Sequence, residues 1–238
     1  MSAAENFLGV LAEIEQARTR RHVAPDEEII LIAVTKNHGV ELMREAIDAG
    51  AKHIGENRVQ EAAEKFPELN RSVTRHLIGH LQTNKAKAAV KLFDVIQSVD
   101  SEHLAAAVDK AAFNVNKVQE ILIQVNAAHE VQKSGVAPEN LTALIKFVDG
   151  LKNLRLRGLM FIAPNFSDVE ECRPLFRKMR TLFDELKSAR ENFDFLSMGM
   201  THDYKIAVEE GANVLRVGTA IFGERNYPYP QKFFAEGV

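Results

Sequence analysis

The most informative shortage in this sequence is that of cysteine. Cys172 is the only one among 238 residues, which excludes an internal disulfide framework and a metal site built from several thiolates. A lone thiol is typical of a chain in a reducing compartment, so we expect a cytoplasmic protein. Long apolar runs are lacking as well. The sequence therefore predicts neither a secretory signal nor a membrane span, which needs about 20 apolar residues.

An excess of charge of one sign is also missing. The formal net charge is -3, so no general attraction to nucleic acid or to an anionic membrane is predicted. Apolar residues, in contrast, make up 46% of the chain, which suffices for a sizeable core. We therefore predict one domain over residues 1–238, with an N-terminal helix and a short C-terminal tail.

Two hydrophobic periods alternate along the chain. Short runs rich in Val, Ile and Leu predict strands at 29–35, 52–56, 75–80, 94–99, 120–126, 154–161, 194–199 and 213–218. Stretches of helical period lie between them, such as 40–50, 102–113 and 170–189. Gly50 and Gly211 each follow a helical run, as a glycine at a helix C-terminus does.

Strands that alternate with helices pair in parallel, and eight such units favour closure into a barrel. The predicted fold class is therefore α/β, with a single (β/α)8 barrel of the TIM type. An open doubly wound sheet is the alternative. The first predicted strand, however, lacks the GxGxxG sequence after it that would favour the open sheet.

Lys36 is the sharpest candidate for chemistry, because it follows the first apolar strand. TIM-barrel enzymes place their sites at the C-terminal ends of the strands. A lysine that leaves a poorly solvated barrel interior is favoured as the neutral amine, which is the form that makes a Schiff base. The alternative is a solvated lysine that only ends a strand.

The predicted ends of the seventh and eighth strands carry glycine and hydroxyl residues. Residues 197–201 read SMGMT, and Gly218-Thr219 stand where a short helix is predicted to begin. A helix N-terminus presents backbone N–H groups, and glycine lets an anion come close. Ser197, Thr201, Gly218 and Thr219 therefore predict a phosphate site, with two ordinary glycine turns as the alternative.

Arg216 is the only charged residue of the last strand, and we predict that it points into the barrel. It could donate to an unprotonated pyridine nitrogen, or form an internal ion pair, for example with Glu56. A reactive lysine near a phosphate site fits pyridoxal 5'-phosphate (PLP). It also fits a Schiff-base aldolase that acts on a sugar phosphate.

Further polar residues follow the other predicted strands. Asn57 follows the second strand, and His80 and Asn126, at the ends of the third and fifth, are candidates for lining the site. His76 is predicted on the same face as His80. The sequence HLIGH lacks the HExxH spacing on a helix, so no metal site is predicted. Lys133, in the loop after the fifth strand, is interpreted as a surface lysine.

These motifs, in this order, resemble the pyridoxal 5'-phosphate homeostasis protein family (YggS/PROSC). The resemblance covers almost the whole chain, through IAVTK, AGAKHIGENRVQEAAEK, RHLIGHLQTNKAK, SVDS, ILIQVNAAHEVQKSG, LRLRGLM, LSMGMTHD and VLRVGTAIFG. It implies the barrel of the alanine racemase N-terminal domain, with PLP as cofactor. By resemblance, Lys36 is the Schiff-base lysine and Arg216 the partner of the ring nitrogen. Residues at or near the cofactor would be Asn57, Ser197, Met200, Thr201, Gly218 and Thr219.

Three positions depart from the family's pattern. Asn37-His38-Gly39 replaces a loop that usually contains proline, Thr201 replaces a serine, and Arg75 replaces a frequent tryptophan. The groups that the cofactor needs are retained, so we expect a difference in loop shape alone.

The resemblance implies a monomeric PLP binder in vitamin B6 homeostasis that lacks firm catalytic activity and hands its cofactor to apo enzymes. The residues agree, since a racemase needs a second base opposite Lys36. None of the three tyrosines, Tyr204, Tyr227 and Tyr229, is marked as that base. The alternatives are a PLP-dependent amino-acid racemase or decarboxylase, and the aldolase above.

Overall fold

Eight parallel strands close into a barrel in the computed structural model, which describes residues 1–128, 130 and 134–224. The strands are β1 (Ile30–Val34), β2 (His53–Glu56), β3 (Thr74–Leu77), β4 (Val95–Val99), β5 (Gln119–Val125), β6 (Leu154–Phe161), β7 (Phe195–Ser197) and β8 (Val214–Val217). Each pairs with the next in sequence, and β8 pairs with β1. The predicted TIM-type fold and its eight strands are confirmed.

The helices are α1 (Ala3–Arg18), α2 (Val40–Asp48), α3 (Val59–Leu69), α4 (Ala86–Leu92), α5 (Glu102–Phe113), α6 (Pro138–Asp149), α7 (Arg173–Lys187), α8 (Tyr204–Glu209) and α9 (Thr219–Phe222). Helix α1 precedes the barrel and α9 follows its last strand, while the other helices lie between consecutive strands. The helix predicted over 170–189 starts with a 3-10 turn at Val169–Cys172. Within the part of the chain that the structure describes, no helix is long and apolar enough to cross a membrane.

Glycine ends two of the helices as predicted. Gly50 after α2 and Gly211 after α8 have φ angles of 112° and 95°, a region that side chains with a Cβ rarely adopt. The next residue in each case donates back to the last turn, from Ala51 N to Ala46 O at 3.0 Å and from Ala212 N to Ala207 O at 2.8 Å. These bonds are those of a Schellman motif, which turns the chain into the following strand.

The third and seventh strands are shorter than predicted, because glycine turns follow them. β3 ends at Leu77, and a Cβ on Gly79 would lie 2.3 Å from the carbonyl oxygen of Asn57. β7 ends at Ser197, and Gly199 has a φ of 96°. The close backbone approach at Gly79 and the left-handed conformation of Gly199 each end the hydrogen bonding of a strand, and both lie at the C-terminal rim of the barrel.

Among the described residues, buried apolar side chains pack in two separate clusters. The larger lies between the sheet and the surrounding helices, and α1 packs against α2, α8 and α9. The smaller consists of Val95, Leu122 and Met160. Met160 pairs in register with Ser197, and neighbours in register point to the same side of a sheet. The smaller cluster therefore shares the barrel interior with the polar residues described next.

Candidate functional site

Lys36 lies at the C-terminal rim, two residues after β1 ends at Val34. β8 runs beside β1, with Val217 opposite Ala33, so the turn that begins at Gly218 emerges next to the segment that carries Lys36. A Cβ on Gly218 would lie 3.3 Å from the Val34 Cβ. The structure thus brings the predicted lysine and the predicted glycine turn together.

The backbone around Lys36 is held by a cluster of charges that the sequence analysis missed. Thr35 Oγ1 donates to Glu56 Oε1 at 2.6 Å, and Lys65 Nζ donates to Glu56 Oε1 at 3.0 Å and to the Thr35 carbonyl at 2.9 Å. Lys65 also pairs with Glu61. Burial raises the pKa of Glu56, while the adjacent charge of Lys65 acts in the opposite direction.

The two predicted phosphate turns meet at the rim. Gly218 N donates to Thr201 Oγ1 at 3.4 Å, which joins the turn after β7 to the turn after β8. Met200 N donates to Asp203 Oδ1 at 2.5 Å, which closes the first of these turns. Thr219 begins α9, and the first N–H groups of a helix have no acceptor within it. Glycine, hydroxyl and unengaged N–H groups are thus gathered at one place, as anion binding requires.

Arg216 lies beneath these turns, in the barrel interior, and is 3% exposed. Its Nη1 donates to Ser197 Oγ at 2.6 Å and its Nη2 to the Phe161 carbonyl at 2.8 Å. The alternative of an ion pair with Glu56 is wrong, because Glu56 engages Thr35 and Lys65 instead. Burial lowers the pKa of Arg216 to about 10, so the guanidinium remains charged near neutral pH.

Ser197 is fully buried, and its hydrogen bonds join it to the interior. Besides accepting from Arg216, its hydroxyl donates to Gln97 Oε1 at 2.6 Å. The structure therefore groups Ser197 with the candidate partner of a ring nitrogen, while Thr201 and Gly218 form the turns above it.

The hydrogen bonds continue from Gln97 through residues that the sequence analysis did not assign to the site. Gln97 Nε2 lies 3.0 Å from His76 Nδ1, and His76 Nε2 lies 3.0 Å from His53 Nδ1. Burial lowers the pKa of His76 to about 3 and also lowers that of His53. One signal was available. A polar residue in the middle of an apolar strand, such as Gln97 in β4, marks a position that needs a buried partner.

The remaining candidates are placed around the rim. Asn57 directly follows β2. His80 is exposed, and its Nδ1 lies 3.2 Å from Ser134 Oγ. The Asn126 side chain donates to the Glu130 carbonyl at 2.8 Å and accepts from the Glu130 N–H at 3.1 Å, which shapes the loop after β5. A role of His80 and Asn126 in lining the site stays a prediction.

Other candidates fall elsewhere. Tyr204 donates to Glu13 on α1, and burial raises the pKa of its phenol. Lys133, Tyr227 and Tyr229 lie outside the described residues. Over the described ranges, no group of three or more His, Cys, Asp and Glu side chains is placed to hold a metal ion.

The arrangement brings together three kinds of group from neighbouring strands. The segment that carries Lys36 follows β1 and lies beside the glycine turns after β7 and β8, and the buried Arg216 lies below these turns. This set suits a ligand that has a carbonyl group, a phosphate and a hydrogen-bond acceptor in a ring between them.

Known proteins match this chain over almost its whole length. The family described as alanine racemase, N-terminal domain matches residues 14–226. The pyridoxal phosphate homeostasis protein of Aquifex aeolicus is 42% identical over 229 residues, which cover 95% of this chain and 100% of the relative. That of Escherichia coli K12 is 37% identical, over 94% of this chain and 97% of the relative.

Solved structures extend the comparison. PipY of Synechococcus elongatus PCC7942, solved with PLP bound, superposes with a TM-score of 0.81 at 38% identity, over 93% of this chain and 100% of that one. Alanine racemase of Clostridium difficile 630 has a TM-score of 0.72 at 16% identity, over 94% of this chain and 57% of that one. The second likeness concerns the barrel alone.

Proposed function

Since the chain belongs to the family of the pyridoxal phosphate homeostasis proteins, we propose that it binds PLP and takes part in vitamin B6 homeostasis in the cell. It holds the cofactor as a Schiff base on Lys36, in which the lysine nitrogen replaces the aldehyde oxygen and water leaves. The bound cofactor supplies a masked aldehyde and an electron-withdrawing ring.

The observation that carries this proposal is the meeting of three strand ends. Lys36 follows β1, the turn at Gly218 follows the adjacent β8, and Thr201 in the turn after β7 accepts from Gly218 N. An amine beside an anion-binding pair of turns matches an aldehyde that carries a phosphate arm. We assign Thr201, Gly218 and Thr219 to the phosphate, with Met200 beside them.

Arg216 is proposed to face the ring nitrogen of the cofactor. A guanidinium has only donors, so the nitrogen that accepts from it is unprotonated. An unprotonated ring is a weak electron sink, and such a ring favours storage over turnover of amino acids. Asn57, at the end of β2 next to β1, is proposed to contact the cofactor from the other side of Lys36.

The environment of Tyr204 supports a holder of PLP rather than a racemase. A racemase needs acid and base groups on both faces of its substrate, and Lys36 supplies one. The Tyr204 hydroxyl is engaged with Glu13 on α1, and burial raises its pKa, so it is poorly suited as a second base. We propose that the protein acts as a cytoplasmic monomer and hands PLP to apo forms of PLP-dependent enzymes.

Absorbance spectroscopy of the loaded protein tests this function. The wild-type protein should show a visible band with PLP that borohydride abolishes, and peptide mass analysis should find the reduced cofactor on Lys36. The Lys36→Ala variant should lack the band. The matched variant Lys87→Ala, which removes an exposed lysine of α4, should retain it. An unchanged band in Lys36→Ala would contradict the assignment.

Two further measurements separate a carrier from an enzyme. The loaded protein should restore activity to the apo form of a PLP-dependent enzyme. With a panel of amino acids, it should release no sustained product and exchange no α-proton. Steady turnover of any of them would overturn the carrier role while leaving PLP binding intact.

A further inference from the structure

We infer that Gln97 is a positioning residue for Arg216, and that it acts through Ser197 as part of a hydrogen-bond chain with one direction. The chain runs from Arg216 through Ser197, Gln97 and His76 to His53, and its members stand on β8, β7, β4, β3 and β2. Its relevance to the cofactor rests on the proposed function, whereas its direction does not.

The direction begins at Arg216, because a guanidinium can only donate. Ser197 Oγ must therefore accept from Arg216 Nη1, at 2.6 Å. A serine hydroxyl has one hydrogen, and the neighbour at 2.6 Å on its other side is Gln97 Oε1, which only accepts. The hydroxyl hydrogen of Ser197 thus points to Gln97 and away from the rim.

The orientation of the Gln97 amide determines which ring nitrogens of the two histidines carry hydrogen. With Oε1 facing Ser197, Nε2 faces His76 and donates to its Nδ1, at 3.0 Å. A ring nitrogen that accepts carries no hydrogen, so neutral His76 has its hydrogen on Nε2. That hydrogen is donated to His53 Nδ1, at 3.0 Å. Burial lowers the pKa of both histidines, which favours the neutral form of each ring.

Burial makes the order of the chain strict. Arg216, Ser197, Gln97 and His76 are each 3% exposed or less, so water has little access to replace a missing partner. A reversed amide would turn Nε2 towards Ser197 Oγ and so take the acceptor Oε1 away from the Ser197 hydroxyl hydrogen. The guanidinium is therefore held on one edge by Ser197 and on the other by the Phe161 carbonyl. Gln97 is linked to Arg216 through Ser197. It keeps Ser197 in the orientation that holds Arg216.

Nitrogen chemical shifts of the histidine rings in the cofactor-free protein test the direction. Near neutral pH, we expect His76 and His53 to be neutral with hydrogen on Nε2. In Gln97→Glu, a carboxylate oxygen would face His76 Nδ1, so a hydrogen should move to Nδ1. Hydrogen on Nδ1 of His76 in the wild-type protein, or no change in the variant, would overturn the inference.

Two variants of Gln97 test its effect on Arg216. Gln97→Met offers Ser197 no acceptor, and we expect PLP to bind about tenfold more weakly, which corresponds to one hydrogen bond, with a shift of the visible band. Gln97→Glu keeps the acceptor and should bind within about threefold of the wild-type protein. Equal affinity of the two variants would contradict the positioning role.

A matched control removes a buried amide that does not belong to the hydrogen-bond chain. Gln119 on the adjacent β5 is fully buried and donates to the Asp94 carbonyl. Gln119→Met should lower stability but leave the band and the affinity unchanged. An equal loss of affinity in Gln119→Met and Gln97→Met would make the effect of Gln97 merely structural. If Gln97→Met does not fold, the ring shifts of Gln97→Glu decide. Wild-type protein that binds no PLP would refute the proposed function and leave the ring-shift test standing.

Discussion

Lys65 Nζ donates to the carbonyl oxygen of Thr35 at 2.9 Å, so a buried ammonium group holds the residue that directly precedes Lys36. On the other side of Lys36, Asn37 N donates to Glu61 Oε1 at 2.5 Å, and Glu61 pairs with Lys65. The backbone on both sides of the proposed cofactor lysine is therefore anchored to α3. Precise placement of a reactive group depends on such support.

Replacement of Lys65 by methionine should strongly destabilise the protein. The side chains of Lys65 and Glu56 are both fully buried, and removal of one partner leaves the other charge without compensation. We expect the free energy of unfolding in urea to fall by about 3–5 kcal/mol. The control Lys91→Met, at an exposed position of α4, should change it by less than about 0.5 kcal/mol. Addition of Glu56→Gln to Lys65→Met should restore part of the loss, and failure to do so would contradict this explanation.

The buried histidine pair should make the protein less stable in acid. Burial lowers the pKa of His76 from 6.5 to about 3. Between these two pH values, His76 therefore binds a proton in the unfolded chain but stays neutral in the folded protein. His76 therefore contributes stability above pH 6.5 that is lost as the pH falls toward 3, with a slope of up to about 1.4 kcal/mol per pH unit.

Urea unfolding at several pH values within that window measures this slope. In His76→Gln, the slope should be smaller than in the wild-type protein, whatever the absolute stability of the variant. His103→Gln, which removes an exposed histidine of α5, should keep the slope. Identical slopes in His76→Gln and the wild-type protein would show that His76 does not cause the pH dependence.

Substitution of Gly79 by alanine should disturb the rim next to Asn57. The added Cβ would lie 2.3 Å from the Asn57 carbonyl oxygen and 2.8 Å from its Cα, and backbone atoms cannot rotate away as a side chain can. We expect a loss of about 1–3 kcal/mol in unfolding free energy and weaker binding of PLP in titrations followed by absorbance. An alanine variant with wild-type stability would show that the rim yields more readily than its packing indicates.

Gly9 should respond in the opposite direction. It lies in the interior of α1, and a Cβ there would meet no atom within 4 Å. Because alanine restricts the unfolded chain and favours helix, Gly9→Ala should raise the unfolding free energy by about 0.5–1 kcal/mol. A thermal midpoint at or below that of the wild-type protein would refute this, and PLP binding should not change.

The eight strands and the two glycine helix ends could be predicted because their signals are local. Period two, period 3.6 and a glycine after a helix are properties of short segments. Strands β3 and β7 were predicted too long, because the turns at Gly79 and Gly199 that follow them depend on the backbone of neighbouring segments. The 3-10 turn before α7 was not predicted either, nor was the helix start marked by Pro174 in the first turn of α7, because the pattern counts apolar residues only.

The sequence by itself determined that Lys36, Thr201 and Gly218 follow strands of a barrel and that Arg216 lies in the last strand, and the fold class placed strand ends on one rim. Only the tertiary structure decided which polar groups meet. Arg216 bonds to Ser197 instead of Glu56 because partners inside a closed barrel are set by the stagger of its strands, which no single segment encodes. For the same reason, the chain of hydrogen bonds across five strands could be recognised only in the tertiary structure.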